Sequence, residues 1–274
     1  MSSVFDTVKL SKSDTPFTIP KNLTDLDSFE FDGLEGKTNL REMLDSSYTD
    51  AFIILKDSKI IFEEYQNEMK DSDLHLMNSV SKSFVGMLLG ILENEAKLST
   101  TDKVIKYIPE LQNSAFQETT IQHALDMTAA VKFTEDYNDS DSEFWHEAAV
   151  VGWRPDLESK VSSSSLLEFM TSLKETSQKE FEMFDYRTVL TNILALTAER
   201  ACQIKFQDLL QTYIWDKLKT EHDAVSDGND FPYMGAGMNA SARDLAKFGL
   251  MLMNNGIFND TQTVSYTHLR AHET

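Results

Sequence analysis

The chain of 274 residues carries 25 Lys and Arg against 45 Asp and Glu, a formal charge of -20, with 41% hydrophobic residues. That length and apolar content suffice for one large domain or two small ones with a sizeable core, while the acidity argues against nucleic acid and an anionic membrane as partners. A single cysteine, Cys202, excludes an intramolecular disulfide, and no Cys/His cluster has zinc spacing. No run approaches the length of a membrane span, and the first ten residues lack the basic patch, apolar core and cleavage site of a secretory signal. A cytoplasmic protein without a metal is expected.

Residues 1 to about 48 are polar, hold Pro16 and Pro20, and show few periodic apolar positions. They predict an irregular arm ending in a short helix around Leu40 to Leu44. Ala51 to Lys56 and Lys59 to Tyr65 are β-rich runs on either side of Asp57-Ser58, the pattern of a hairpin with a two-residue turn.

The stretch from His75 to Asn94 comes next. Its first half is polar and carries Ser79 and Lys82, and its second half, Phe84 to Leu92, is apolar on nearly every face, as a fully buried helix reads. Ser79 falls where that helix begins, close to the sheet. Residues three apart on a helix share a face, so Lys82 brings its amine back over Ser79 and sets a base beside a nucleophile. The pair also fits an ordinary N-cap and a lysine snorkelling off the first turn. Chemistry is favoured because this is the only Ser-x-x-Lys in the chain and it opens a helix too apolar for the surface.

From Asn94 to about Lys219 the signals are helical or loop, with no strong strand pair among them. Helices are predicted over Thr101 to Ile108 with Pro109 stopping it, Thr120 to Met127, Ser165 to Leu173, Thr188 to Arg200 and Phe206 to Lys217. Gly235 to Asp244 then leads into a helix to about Asn255, with Ser241 and Asp244 spaced as a variant capping box. The last eleven residues, Val264 to Thr274, share no periodicity with the rest; written as codons they resemble one reading frame of a transposase-type sequencing-library adapter. They are read as a non-native tail, with the natural sequence after Thr263 missing.

Four segments carry a resemblance in order: Ser79-Val-Ser-Lys-Ser-Phe84, Ala124 to Tyr137, Phe184-Asp-Tyr-Arg-Thr188, and Gly235 to Phe248. Together they resemble the serine β-lactamase and penicillin-recognising superfamily, and within it the class C-like esterases and the 6-aminohexanoate-oligomer hydrolases. The resemblance implies a β-lactamase-like (DD-peptidase-like) fold of the α/β plus all-α class, an antiparallel sheet flanked by helices with an inserted helical lobe. Residues 1-263 would form a single truncated domain, with 1-100 and 225-263 as the α/β lobe and 101-224 as the mostly helical lobe.

The resemblance also implies roles. Ser79 would be the acylated nucleophile, Lys82 its base, and Tyr186 the general acid that passes the proton to the leaving group. Tyr137 falls where the oligomer hydrolases place a tyrosine against the substrate amide, although Glu135-Asp136-Tyr137 also reads as a loop packing on Trp145 and Trp153. Thr188 stands at the second-motif position, usually Asn or Ser, that binds the substrate carbonyl. His75, His123, His146 and His222 take no role and are read as structural or exposed. The Ser79 N–H would be half of an oxyanion hole. The third motif, Lys/His-x-Gly on a core strand, would lie beyond Thr263, leaving the hairpin's sheet incomplete with an exposed apolar edge.

The reading is a serine hydrolase that cleaves a small-molecule amide or carboxylic ester through acyl-Ser79, with no cofactor. The alternatives are a penicillin-binding protein or β-lactamase, and a catalytically inactive fragment or ligand-binding module of the same fold. No nucleic acid or membrane partner is expected, and the oligomeric state stays open.

Overall fold

In the computed structural model, residues 6–34, 36–155, 157, 161–228, 231–259 and 261–263 are described; the adapter-like tail, Val264 to Thr274, lies outside the described residues. The strands are β1 (Thr7–Leu10), β2 (Glu30–Gly33), β3 (Gly36–Asn39), β4 (Ala51–Lys56), β5 (Lys59–Tyr65), β6 (His75–Leu76), β7 (Ala224–Asp227), β8 (Met238–Ala240), β9 (Ile257–Phe258) and β10 (Thr261–Gln262). The helices are α1 (Leu40–Ser46), α2 (Ser81–Asn94), α3 (Ile121–Leu125), α4 (Glu143–Val150), α5 (Leu166–Ser172), α6 (Thr188–Cys202), α7 (Phe206–Leu210) and α8 (Ala242–Met253). One antiparallel sheet runs in the order β1-β7-β8-β6, and β2-β3, β4-β5 and β9-β10 are separate hairpins.

The β4-β5 hairpin forms where its sequence places it. Asp57 (φ 49°) and Ser58 (φ 58°) are both left-handed, as the tight turn between right-twisted strands requires, and the register runs Lys56 opposite Lys59. Among the described residues β4 has β5 as its one strand partner, and Phe52 to Leu55 remain partly exposed. α1, α5, α6 and α8 also form close to their predicted bounds. Asn39, Ser165 and Ser241 cap α1, α5 and α8 by accepting from the third backbone N–H of each helix.

Three expectations are corrected. The N-terminal arm holds β1, β2 and β3; β1 pairs with β7, Thr7 opposite Asp227, so its strand character is supplied by a partner remote in sequence. Thr101 to Ile108 holds no α-helix but a single 3-10 turn at Val104–Lys106, and Pro109 opens a second one, Pro109–Leu111, because a proline's missing N–H costs nothing in a first turn. Phe206 to Lys217 is divided between α7 and a π-helical turn, Gln211–Trp215. α4 was not anticipated.

α2 is the buried helix its composition predicts: Phe84, Val85, Leu88, Leu89 and Leu92 are fully enclosed. It packs on α6, which is buried from Thr188 to Ala198. Phe84 stacks on Phe248 of α8 with ring centroids 4.1 Å apart and leans on Trp215 at 6.4 Å. The helix that carries Lys82 is therefore wedged between two others. No helix among the described residues is long and apolar enough to cross a membrane. Phe84→Ala should lower unfolding free energy by about 3–5 kcal/mol, read from urea denaturation; a loss under about 1 kcal/mol would contradict this packing.

Candidate active site

The site is set by how the chain passes from β6 into α2. β6 pairs with β8, and one residue later the Met77 N–H donates to the Met238 carbonyl at 2.8 Å. Asn78 then takes a left-handed conformation (φ 46°), and a 3-10 turn, Asn78–Val80, delivers the chain to α2. Buried Ser81 fastens the junction: its Oγ donates to Asn78 O at 2.7 Å and accepts from Met238 N at 3.2 Å. Ser79 is left exposed on the turn, and Lys82, one turn later, is half-buried.

Lys82 reaches Ser79 as its spacing predicts, with Nζ 3.1 Å from Ser79 Oγ. It also donates to the Gly235 carbonyl at 2.5 Å, a partner supplied by the turn ahead of β8. Tyr186 closes the other side, its ring centroid 5.1 Å from Nζ. The loop that carries it is anchored on both flanks. Asp185 N donates to Met127 O at 2.8 Å, and the buried Arg187 guanidinium donates to Ala129 O (2.5 Å), Ser177 Oγ (3.2 Å) and Asp185 Oδ2 (2.6 Å).

Tyr137 and Thr188 meet at a residue that the sequence reading did not single out. Glu135 accepts from the Thr188 N–H (2.6 Å), the Thr188 hydroxyl (2.7 Å) and the Tyr137 hydroxyl (2.8 Å). Its carboxylate thereby serves the first turn of α6, where unpaired N–H groups and the helix dipole favour negative charge. Thr188, 1% exposed, does not stand as a free substrate donor: its hydroxyl is committed to Glu135. Tyr137 is exposed and stacks edge-on against Phe144 and Trp145, whereas Trp153 packs instead on Tyr233 and donates to Asp227 Oδ2 at 3.0 Å. The histidines serve elsewhere: His75 pairs with Asp50, His123 completes the cap of α3, and His222 lies beside Ser241.

Behind Gly235 lies a second group that the sequence reading missed. Asn192 Oδ1 accepts from the Gly235 N–H at 3.0 Å, and its Nδ2 donates to Glu147 Oε1 at 3.0 Å. The Tyr233 hydroxyl donates to Glu147 Oε2 at 3.4 Å. Glu147, Asn192 and Tyr233 are all fully buried. Burial pushes the Glu147 carboxyl up to about 8, helped by the Glu135 charge and opposed by Asn192, Lys82 and Tyr233. The available signal was an acid on the same helix as Phe144, Ala148 and Ala149, all of which are core residues. Among the described residues no group of three His, Cys, Asp or Glu stands where it could hold a metal ion.

The family model described as Beta-lactamase matches residues 38–273. A 6-aminohexanoate-dimer hydrolase of Paenarthrobacter ureafaciens is 32% identical over 230 residues, which are 83% of this chain and 57% of that protein. The chain thus spans little more than half the length of that curated relative. A solved structure from Bacillus anthracis, described as a candidate 6-aminohexanoate-dimer hydrolase, superposes with a TM-score of 0.91 at 24% identity, covering 99% of this chain and 71% of that one. An octameric penicillin-binding protein homologue from Pyrococcus abyssi gives 0.61 at 15% identity, over 86% and 58%. These two likenesses show the fold.

The state of Glu147 carries a pH signature. Folded, its carboxyl keeps a proton to about pH 8, whereas an ordinary unfolded glutamate loses it near 4.5. Between those values the folded chain binds more protons, so this group's contribution to stability falls as pH rises through the window. Glu147→Gln, which cannot ionise, should escape that decline, gaining on the parent by up to about 1.4 kcal/mol per pH unit. Urea denaturation of both proteins at several pH values in the window reads the difference; parallel curves would contradict a buried neutral acid.

Proposed function

The chain belongs to the Beta-lactamase family, and we propose that its site performs serine-dependent hydrolysis of a small amide or carboxylic ester through an acyl-Ser79 intermediate. The observation that carries this reading is the placement of Lys82 Nζ, 3.1 Å from Ser79 Oγ and 2.5 Å from Gly235 O. Taking the serine proton requires the amine in a form with two N–H bonds and one lone pair. The Gly235 carbonyl, which can only accept, takes one of those N–H bonds and leaves the lone pair for the serine hydroxyl.

In this scheme Ser79 Oγ attacks the substrate carbonyl carbon while its proton moves to Lys82 Nζ. The Ser79 N–H supplies one donor to the oxyanion that develops. As the tetrahedral intermediate collapses, Tyr186 gives its phenolic proton to the departing amine or alkoxide and regains one from Lys82. Nζ stands over the Tyr186 ring, so this step requires the side chain to bring its hydroxyl to Nζ. Water then follows the same route in reverse: it loses a proton to the pair, attacks the acyl carbon and releases Ser79. Tyr137, held by Glu135, is assigned to the substrate amide, and Thr188 acts indirectly by holding Glu135. The named relative supports an amide of the 6-aminohexanoate-dimer type as the first substrate to try.

Ser79→Ala should abolish turnover of a p-nitrophenyl ester, and Lys82→Ala should lower kcat/KM by about 10²- to 10⁴-fold. Tyr186→Phe should slow amide cleavage far more than cleavage of that ester, because nitrophenolate departs without a proton. Turnover that persists in Ser79→Ala at the parental rate would sink the assignment.

A further inference from the structure

We propose that Glu147 and Asn192, neither of which touches the reacting atoms, are positioning residues for Ser79 acylation: together they fix the Gly235 turn and, through its carbonyl, the Lys82 amine. The inference rests on the serine-hydrolase reading. Its basis is a continuous chain of hydrogen bonds from α4 through α6 to α2, running Glu147, Asn192, Gly235, Lys82, Ser79, buried at its Glu147 end and open to solvent at Ser79.

Gly235 is the weak point of this chain, and the structure pins it with care. Its carbonyl belongs to one peptide plane and its N–H to the preceding one, so the two are linked only through the φ and ψ of a glycine, the most permissive residue. No side chain could stiffen it, since a Cβ there would lie 2.4 Å from Thr188 Cγ2 and 3.2 Å from Asn192 Nδ2. Rigidity has to come from outside. Asn192 holds the Gly235 N–H, and the Tyr233 carbonyl accepts from Gly237 N at 2.7 Å to close the turn.

Glu147 joins both anchors. One oxygen accepts from Asn192 Nδ2, which fixes the amide so that Oδ1 faces Gly235, and the other receives the Tyr233 hydroxyl. A buried acceptor without a charge suits this task, because an ionised carboxylate would carry a large desolvation cost in the core. An apolar residue in its place would leave Asn192 Nδ2 and the Tyr233 hydroxyl buried and unpaired. The amide would then be free to turn, and the lysine's backbone partner with it.

The test is the rate at which a fluorophosphonate labels Ser79 in the full chain, resolved into a maximal rate and a half-saturating concentration. Glu147→Leu and Asn192→Leu should lower the maximal rate by about tenfold or more with the half-saturating concentration unchanged. Glu147→Gln keeps an acceptor for Asn192 and should restore most of the rate lost in Glu147→Leu. Tyr233→Phe, which deletes one hydroxyl, should cost a few-fold and decides the matter if the leucine variants do not fold. Parental rates in the folded variants, while the parent labels at Ser79, would overturn the positioning role and leave the hydrolase reading intact. A parent that does not label at Ser79 would overturn the hydrolase reading, and the positioning role with it.

Discussion

Everything at the site depends on one side chain bridging two elements: Lys82 Nζ leaves α2 and lands on the Gly235 carbonyl, passing Ser79 Oγ on the way. That bridge has the right length because the backbone sets it. β6 leads into α2 and the Gly235 turn leads into β8, and β6 and β8 are paired in one sheet. Ser81, bonded to Asn78 O and to Met238 N, ties the start of the helix to the start of the strand. The sheet register and the distance from Lys82 Nζ to Ser79 Oγ are thus one constraint. Phe84, stacked on Phe248 two residues past Lys82, keeps the helix from sliding along it.

The chain is strongly acidic, and three of its carboxylates stand around this lysine or its supports. Each is made tolerable in a different way. Glu135 sits at the N-terminus of α6, where backbone N–H groups meet its charge. Asp185 is paired with the buried guanidinium of Arg187. Glu147, fully buried against the neutral groups of Asn192 and Tyr233, is pushed by burial toward its protonated form instead. The acids that touch the site therefore act as anchors for loops and turns, and the Lys82 amine is the group set against the Ser79 hydroxyl.

How much of this was legible follows from how local each signal is. The hairpin, α2, α5, α6 and α8 are announced by residues close at hand: Asp57-Ser58 at a tight turn, Ser165 and Ser241 at helix starts, and the apolar run after Lys82. β1 is not, because a four-residue strand has too short a pattern and its partner β7 lies near the other end of the chain. In the site, Ser79 and Lys82 were legible because three-residue spacing fixes their geometry. The Gly235 carbonyl was not, since a backbone oxygen has no letter of its own. Thr188 shows the opposite case: its segment resembles a motif, but the residue that occupies its hydroxyl, Glu135, lies in another loop. Asn192 and Glu147 needed two helices docked before their relation existed at all.

The most direct test of the central claim is to watch the intermediate. Intact-mass and peptide-level mass spectrometry during turnover of an activated ester should catch one acyl group on the peptide that contains Ser79, appearing early and decaying as product accumulates. Steady product release with that peptide unmodified, or an acyl group on a different residue, would contradict the account.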